Sequence, residues 1–225
     1  MLDTEHIKSL DENPYEKVNR PSVFKRITKR TFDLVSSLLA ILILSPFFIL
    51  FTPIVAIAMK GNPFFTQERA GKDGKPFKVI KYRSMTNKKD KDGNLLPNEQ
   101  RITKFGKMLR KLSLDELPQL FNIFIGQMSV VGPRPLHMKY NDRYNEYQKQ
   151  RLLVKPGLTG LAQISGRNAI SWEEKFNKDV EYVKKCGFFY DLKIIFLTVA
   201  KVLKRESIDS DNRIGTEEFM GTKEE

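Results

Sequence analysis

Cysteine is nearly absent from this chain: Cys186 stands alone in 225 residues, which excludes an internal disulfide. Histidine is as scarce, with only His6 and His137, so a zinc cluster of thiolates and imidazoles has too few ligands. Any metal must be held by oxygen. The sequence also lacks a G-x-x-x-x-G-K-[ST] loop, a G-x-G-x-x-G turn and an internal repeat. Nucleotide binding through those phosphate loops, and a solenoid architecture, therefore have no support.

What is abundant is positive charge. Lysine and arginine exceed aspartate and glutamate by 39 to 27, giving a formal charge of +12 and an isoelectric point near 9.6. Such a balance suits nucleic acid, an anionic membrane surface or a phosphate-rich small molecule, and composition does not choose among them. The length allows one substantial core, or one modest domain with an anchor.

Charge is distributed unevenly. Residues 1–22 are polar and aperiodic and read as a mobile leader. Residues 23–60 read as a membrane anchor, because Leu34 to Met59 carry no charge for 26 residues, roughly 39 Å of helix against a hydrocarbon core of about 30 Å. A simple spanning helix fits that length. Two features favour a helix-break-helix hairpin that enters and leaves by one face. Ser45-Pro46 lies near the middle, where proline removes a backbone hydrogen bond and the serine hydroxyl can satisfy the freed carbonyl. Basic residues also flank both ends, Lys25 to Arg30 before and Lys60, Arg69 and Lys72 after, so the positive-inside rule draws both toward the cytoplasm.

Residues 61–205 read as a compact domain. Short strands are expected between the turns at Gly61-Asn62-Pro63, Gly71 and Asp73-Gly74, and a period-two strand would aim Lys78, Lys81 and Arg83 at one face. Ile102 to Leu112 has helical spacing, with Phe105, Met108, Leu109 and Leu112 on one side and Arg110 among the cations on the other. Met138 to Leu152 reads as a charged surface helix. Ser171 with Glu174 forms a capping box for a helix to about Lys185, and Phe188 to Arg205 reads as an amphipathic interfacial helix. Gly157, Gly160 and Gly166 permit tight turns or close backbone approach. Residues 206–225, with seven acids against two bases, read as a disordered or partner-contacting tail. The fold class is α+β, mostly helical.

The chemistry concentrates in RKLSLDELPQLFNIFIGQMSVVGPRP, Arg110 to Pro135. Here Asp115 and Glu116 stand among cations at an expected helix start, capped by Ser113 or by Asp115 itself, with Pro118 in or near the first turn. The two acids are either caps or chemistry. An adjacent pair can bind Mg²⁺ through its carboxylates together with substrate phosphates, and can supply an oxygen nucleophile. Arg134, held between Pro133 and Pro135, can neutralise phosphate oxygens bidentately. Three functions compete at this point: phosphoryl-transfer chemistry on an amphiphile, a membrane-anchored basic lipid-binding protein without catalysis, and an Mg²⁺-dependent lipid-phosphate hydrolase.

Six segments in order resemble a known family: SPFF, FFTQERAG, GKPFKVIKYRSM, LSLDELPQLFNIFIGQMSVVGPRPL, VKPGLTGLAQISGRNAISWEEKF and DLKIIFLT. Together, over residues 24–205, they resemble the bacterial sugar transferases called monotopic phosphoglycosyl transferases, and are most similar to the small PglC-like members, since no large membrane domain precedes them. The resemblance implies transfer of a sugar-1-phosphate from a UDP-sugar, as a family expectation an N-acetylated amino sugar, to undecaprenyl phosphate with release of UMP. It places the reaction at the cytoplasmic face of the bacterial inner membrane, with membrane lipid and downstream glycosyltransferases as partners and no nucleic acid. It implies a re-entrant hairpin broken at Ser45-Pro46, Asp115 as the nucleophile of a ping-pong mechanism, and Glu116 as its helper in holding Mg²⁺ or handling a proton. By the same resemblance Arg134 binds phosphate, with Lys81, Arg83 and Arg110 as further phosphate contacts. Two positions depart from the family pattern, Gln127 where many relatives carry Asp and Leu161 where many carry Trp, and neither belongs to the dyad.

Overall fold

The computed structural model describes residues 17–166, 169–204 and 218–221. It is a mostly helical α+β protein with one long apolar helix and two small sheets. Helix α1, Val23–Met59, starts at Ser22, whose side chain accepts from the Lys25 amide, and ends at Lys60 in a left-handed conformation. It is long and apolar enough to cross a membrane by length and composition.

The helix does not break at Ser45-Pro46, contrary to the expectation of two helices: α1 runs unbroken through both Pro46 and Pro53. The reason is local. Pro46 has no N–H for the Leu42 carbonyl, and the Ser45 hydroxyl donates to that carbonyl instead, at 2.7 Å. The helix is also held against the rest of the protein along most of its length. Near its start Arg30 donates to the Ile123 and Phe124 carbonyls, and the buried Asp33 carboxylate accepts from the Ser129 hydroxyl and the Val130 amide, both at 2.9 Å. In the middle Ala40, Ile41, Leu44 and Phe48 pack on Val79, Leu120, Ile123 and Met128. Near the end Val55 and Met59 join Tyr82 and Leu109 in a buried cluster. The opposite side stays bare, with Ile43 at 75% and Ile49 at 71% exposure.

After α1, β1 (Phe64–Ala70) and β2 (Pro76–Tyr82) form an antiparallel hairpin. The three-cation face does not form, since strand alternation puts Lys81 on the side opposite Lys78, and Arg83 lies beyond the strand. Helix α2, Lys104–Lys111, is capped by the Thr103 side chain. A close approach is built in here, because a Cβ on Gly106 would lie 1.8 Å from the Ser84 carbonyl oxygen. Helix α3, Gln119–Phe124, leads to β3, Ser129–Val131, which pairs in parallel with β4, Gly157–Thr159. Between the last two strands, Met138 to Leu152 is not the expected surface helix. It is a 3-10 turn, a single helical turn from Glu146 to Lys149 and a second 3-10 turn, burying Tyr140, Tyr144, Gln148 and Arg151. Its aromatic residues and Arg151 are drawn into the core, which interrupts the helical path.

Helix α4, Leu161–Ser165, and α5, Trp172–Lys185, follow, and the Ser171–Glu174 capping box is present as read. Helix α6, Phe188–Leu203, seats Asp191 and Ile194 inward and leaves Phe189 at 83% and Phe196 at 74% exposure. An exposed apolar stripe of this kind, with that of α1, suits contact with a bilayer. Within the leader, Val18 packs on the core that contains Val131, Val154 and Ile194. Within the tail, Phe219 is buried among Tyr140, Tyr144 and Phe176, and Glu218 pairs with Lys139 and Arg143. Residues 1–16 of the leader and residues 206–217 and 222–225 of the tail lie outside the described residues.

Ser45→Ala should lower stability by about 1 kcal/mol, the cost of orphaning the Leu42 carbonyl. In a Pro46→Ala background the same change should cost far less, because the restored N–H bonds that carbonyl. Thermal unfolding of the four variants in detergent checks the pair; equal costs in both backgrounds would contradict the hydrogen-bond account.

Candidate active site

The acidic pair sits on a 3-10 turn, Leu114–Glu116, rather than at a capped α-helix start. Ser113 has φ of 55° and makes no side-chain cap, so it turns the chain instead of capping it. Pro118 then occupies the cap position of α3, where its missing N–H has no intrahelical carbonyl to lose. One turn thus separates the acids from the α-helix, and neither Ser113 nor Asp115 caps it.

Two other chain segments converge on Glu116. Its Oε1 accepts from Lys81 Nζ at 2.6 Å and from Arg134 at 2.9 Å. Lys81 comes from β2, and Arg134 from the Pro-Arg-Pro turn after β3. Asn122, fully buried on α3, fixes the first of these relations: its side chain accepts from the Ile80 amide and donates to the Lys78 carbonyl. It donates also to Gln127, so the residue at that departure from the family pattern has a structural task.

The Pro-Arg-Pro turn is held from behind by Arg151. Its guanidinium donates to the Arg134 carbonyl at 2.7 Å, to the Asp179 carboxylate and to the Tyr144 hydroxyl, all inside the protein. Glycines supply the rest of the fit. A Cβ on Gly157 would lie 2.0 Å from the Gly132 nitrogen, and one on Gly160 would lie 2.1 Å from the Gly132 oxygen. Those glycines allow close backbone approach to the VGPRP segment.

The two acids differ in character. Burial raises the Glu116 carboxyl, but Arg134 and Lys81 outweigh it and hold the group far below the usual carboxylate range. Asp115 is only 8% exposed. Burial, then the charge of Glu116, pushes it up to about 6, against the opposing pull of Lys81, Arg110 and Arg134. One acid is a fixed anion, and the other carries a carboxylate held at high energy, the condition of a reactive oxygen.

Of the residues marked in the sequence, Lys81 and Arg134 touch the dyad, and Arg110 acts on Asp115 through its charge while donating to the Ser84 hydroxyl. Arg83 is turned elsewhere, donating to the Phe64 carbonyl. Ser45 and Pro46 are remote, inside α1. Arg69 was not marked as a site residue, yet its charge is felt beside Arg134 and Glu116; burial and then Arg134 lower it to about 10. Its place in FFTQERAG was the available signal. Arg151 and Asn122 carried none beyond residue type. For a metal, the described residues hold no group of three or more acid, histidine or cysteine ligands. The donor set is Asp115 with Glu116, whose two hydrogen bonds both fall on Oε1, which suits a hard cation that takes its other ligands from substrate phosphates and water.

The chain matches the family described as bacterial sugar transferase over residues 24–205. It belongs to the bacterial sugar transferase family. This sugar transferase is 53% identical over 197 residues to the sugar transferase EpsL of Bacillus subtilis, covering 87% of its own chain and 97% of the relative. It is 44% identical over 202 residues to a UDP-glucose:undecaprenyl-phosphate glucose-1-phosphate transferase of Klebsiella pneumoniae, and 41% identical over 202 residues to a protein of the same name from Escherichia coli. In both of these pairs 85% of the sugar transferase is matched to 42% of the relative, so it spans about two fifths of their length.

Asp115→Asn tests the energetic reading of the site. Because the folded pKa lies above the unfolded one near 3.8, ionising Asp115 costs stability as pH rises from about 4 to about 6, and the full penalty persists above that. The variant should therefore be more stable than the parent by up to about 3 kcal/mol at pH 8, with the difference vanishing below pH ~4. Unfolding curves across pH report it.

Proposed function

We propose that this protein is a monotopic phosphoglycosyl transferase that moves a sugar-1-phosphate from a UDP-sugar to undecaprenyl phosphate. The observation that carries the reading is the division of labour within the dyad, one fixed anion and one buried carboxylate of raised pKa, among cations suited to a diphosphate. In the first half-reaction the Asp115 carboxylate oxygen attacks the sugar-bearing phosphorus, the bond from that phosphorus to the UMP oxygen breaks, and UMP leaves with the electron pair. In the second, an oxygen of the lipid phosphate attacks the same phosphorus, the acyl-phosphate bond to Asp115 breaks, and the carboxylate is regenerated. Lys81 and Arg134, positioned by Glu116, and Arg110 neutralise the non-bridging oxygens as charge builds on them. Asp115 and Glu116 would hold Mg²⁺, which supplies charge neutralisation of the diphosphate when bound. The sugar is an N-acetylated amino sugar by family expectation, and the product enters glycan assembly by downstream glycosyltransferases.

The same reading places the protein at the cytoplasmic face of the inner membrane with α1 re-entrant, as one continuous helix bending at Ser45-Pro46 rather than two helices. The domain contacts α1 from Arg30 to Met59, which favours both ends lying on one side, with the bare face of the helix in lipid. Exposed Leu112, Phe121 and Ile125 bracket the dyad in the sequence and supply apolar surface that supports a position near the lipid phosphates.

UMP release from a panel of UDP-sugars is the direct assay. Asp115→Asn should lose turnover by at least about a thousandfold, and kcat/KM of the parent should fall as pH drops through about 6, because the nucleophile is the deprotonated form. Turnover that survives the substitution, or free sugar phosphate formed steadily without acceptor, would favour a binding protein or a hydrolase. For topology, cysteines introduced just before Phe24 and just after Lys60 should be labelled from the same side of sealed vesicles; opposite-side labelling would refute the re-entrant reading.

A further inference from the structure

The first turns of α1 form one wall of a cavity of about 410 Å³, within the range of small-molecule sites. The other walls come from Lys72, the segment Leu153 to Lys155, and Cys186 with Gly187. Lys81, Arg110, Asp115, Glu116 and Arg134 are not among its lining residues, so it is separate from the dyad.

Its charges do not balance. Among the described residues six cations line it, Lys25, Arg26, Lys29, Arg30, Lys72 and Lys155, against the single acid Asp33. That acid is occupied by Ser129 and Val130. Lys29 is paired with Asp191, and Arg30 is spent on the carbonyls that end α3. Lys155 has no such partner among the described residues, and it is half-buried beside another cation: a Cβ on Gly126 would lie 3.2 Å from Arg30 Cζ and 3.4 Å from Lys155 Nζ. Burial, then the Arg30 charge, lowers the Lys155 ammonium below its ordinary range. Gathering like charges in a part-buried wall costs stability unless an anion completes the set. Between the cations the lining is apolar, from Val23, Ile27, Leu153 and Val154. Phe24, 79% exposed on the same turns of α1, carries that apolar character outward.

We propose that this cavity is a second phosphate site, which binds a phosphate-bearing anion with Lys72 and Lys155 as its principal contacts. A phospholipid headgroup and free phosphate share that chemistry. The apolar lining and the exposed Phe24 beside the mouth match a headgroup with its chains in the bilayer. The inference stands apart from the dyad chemistry, since the two sites share no residue.

The test uses the full-length chain in nonionic detergent, in three arms: micelles doped with phosphatidylglycerol, micelles doped with phosphatidylcholine, and undoped micelles titrated with inorganic phosphate against chloride at matched ionic strength. Thermal unfolding and retained lipid counted by native mass spectrometry are the readouts. The parent should gain several degrees, saturably, and retain about one phosphatidylglycerol per chain. A gain with phosphatidylglycerol alone identifies the headgroup, and an equal gain with inorganic phosphate identifies a free anion. Lys72→Gln combined with Lys155→Gln should weaken the response at least about tenfold, while Lys155→Arg keeps it. In anion-free micelles the double variant should unfold no lower than the parent, because it relieves repulsion, which separates lost binding from misfolding. No gain in the parent, an equal gain with phosphatidylcholine, or a double variant that responds like the parent would overturn the proposal.

Discussion

A single carboxylate oxygen, Glu116 Oε1, is shared by an ammonium and a guanidinium from two different parts of the chain. Lys81 arrives on the hairpin, Arg134 on the Pro-Arg-Pro turn, and the oxygen between them fixes the distance from one to the other. Pairing of this kind contributes little net stability when it is exposed, but here the anion is largely enclosed and removing it would leave two cations facing each other. The consequence for chemistry is that Glu116 absorbs the direct ion pairing. Asp115, next to it and buried, feels the neighbouring cations through their charge and has too little compensation to be an ordinary carboxylate.

The rest of the fold serves that junction. Asn122 ties α3 to β2, which keeps Lys81 in reach. Arg151, inside the core, holds the Arg134 backbone through its carbonyl, and tight glycine contacts press β4 against the strand that leads to it. The membrane helix belongs to the same construction, because Asp33 and Arg30 bind the backbone at either side of Gly126, just beyond α3. An anchor that holds the active-site scaffold by buried hydrogen bonds is a structural member as much as a tether. Its charged start also lines the cationic cavity, so the same few turns hold the scaffold and build that wall.

Much of this was legible in the sequence where the signal is local. The Ser171–Glu174 box and the apolar spacing that begins at Phe188 each depend on neighbours within a turn or two, and each became a helix as expected, whereas the uncharged run to Met59 became one helix where two were expected. Family membership was legible in six ordered segments. What local reading missed was decided by distant partners. Ser113 looks like a cap, yet it adopts a left-handed turn so that the acids can meet Lys81 and Arg134. Met138 to Leu152 has the charge of a surface helix, but Tyr140, Tyr144 and Arg151 are claimed by the core and break it into turns. Ser45-Pro46 reads as a break, and the serine hydroxyl repairs the ladder that proline interrupts. Arg151 could not be singled out among the many basic residues, because its importance lies in burial against Asp179 and Arg134.

The division between a fixed anion and a reactive carboxylate makes a chemical claim about one residue. Incubating the full-length protein in membrane-mimetic discs with an accepted UDP-sugar and no lipid acceptor, then quenching in acid and mapping the adduct by peptide fragmentation, addresses it directly. The account predicts a phosphosugar mass on Asp115 that disappears when undecaprenyl phosphate is added. An adduct on Glu116, or UMP release with no adduct on either acid, would contradict it.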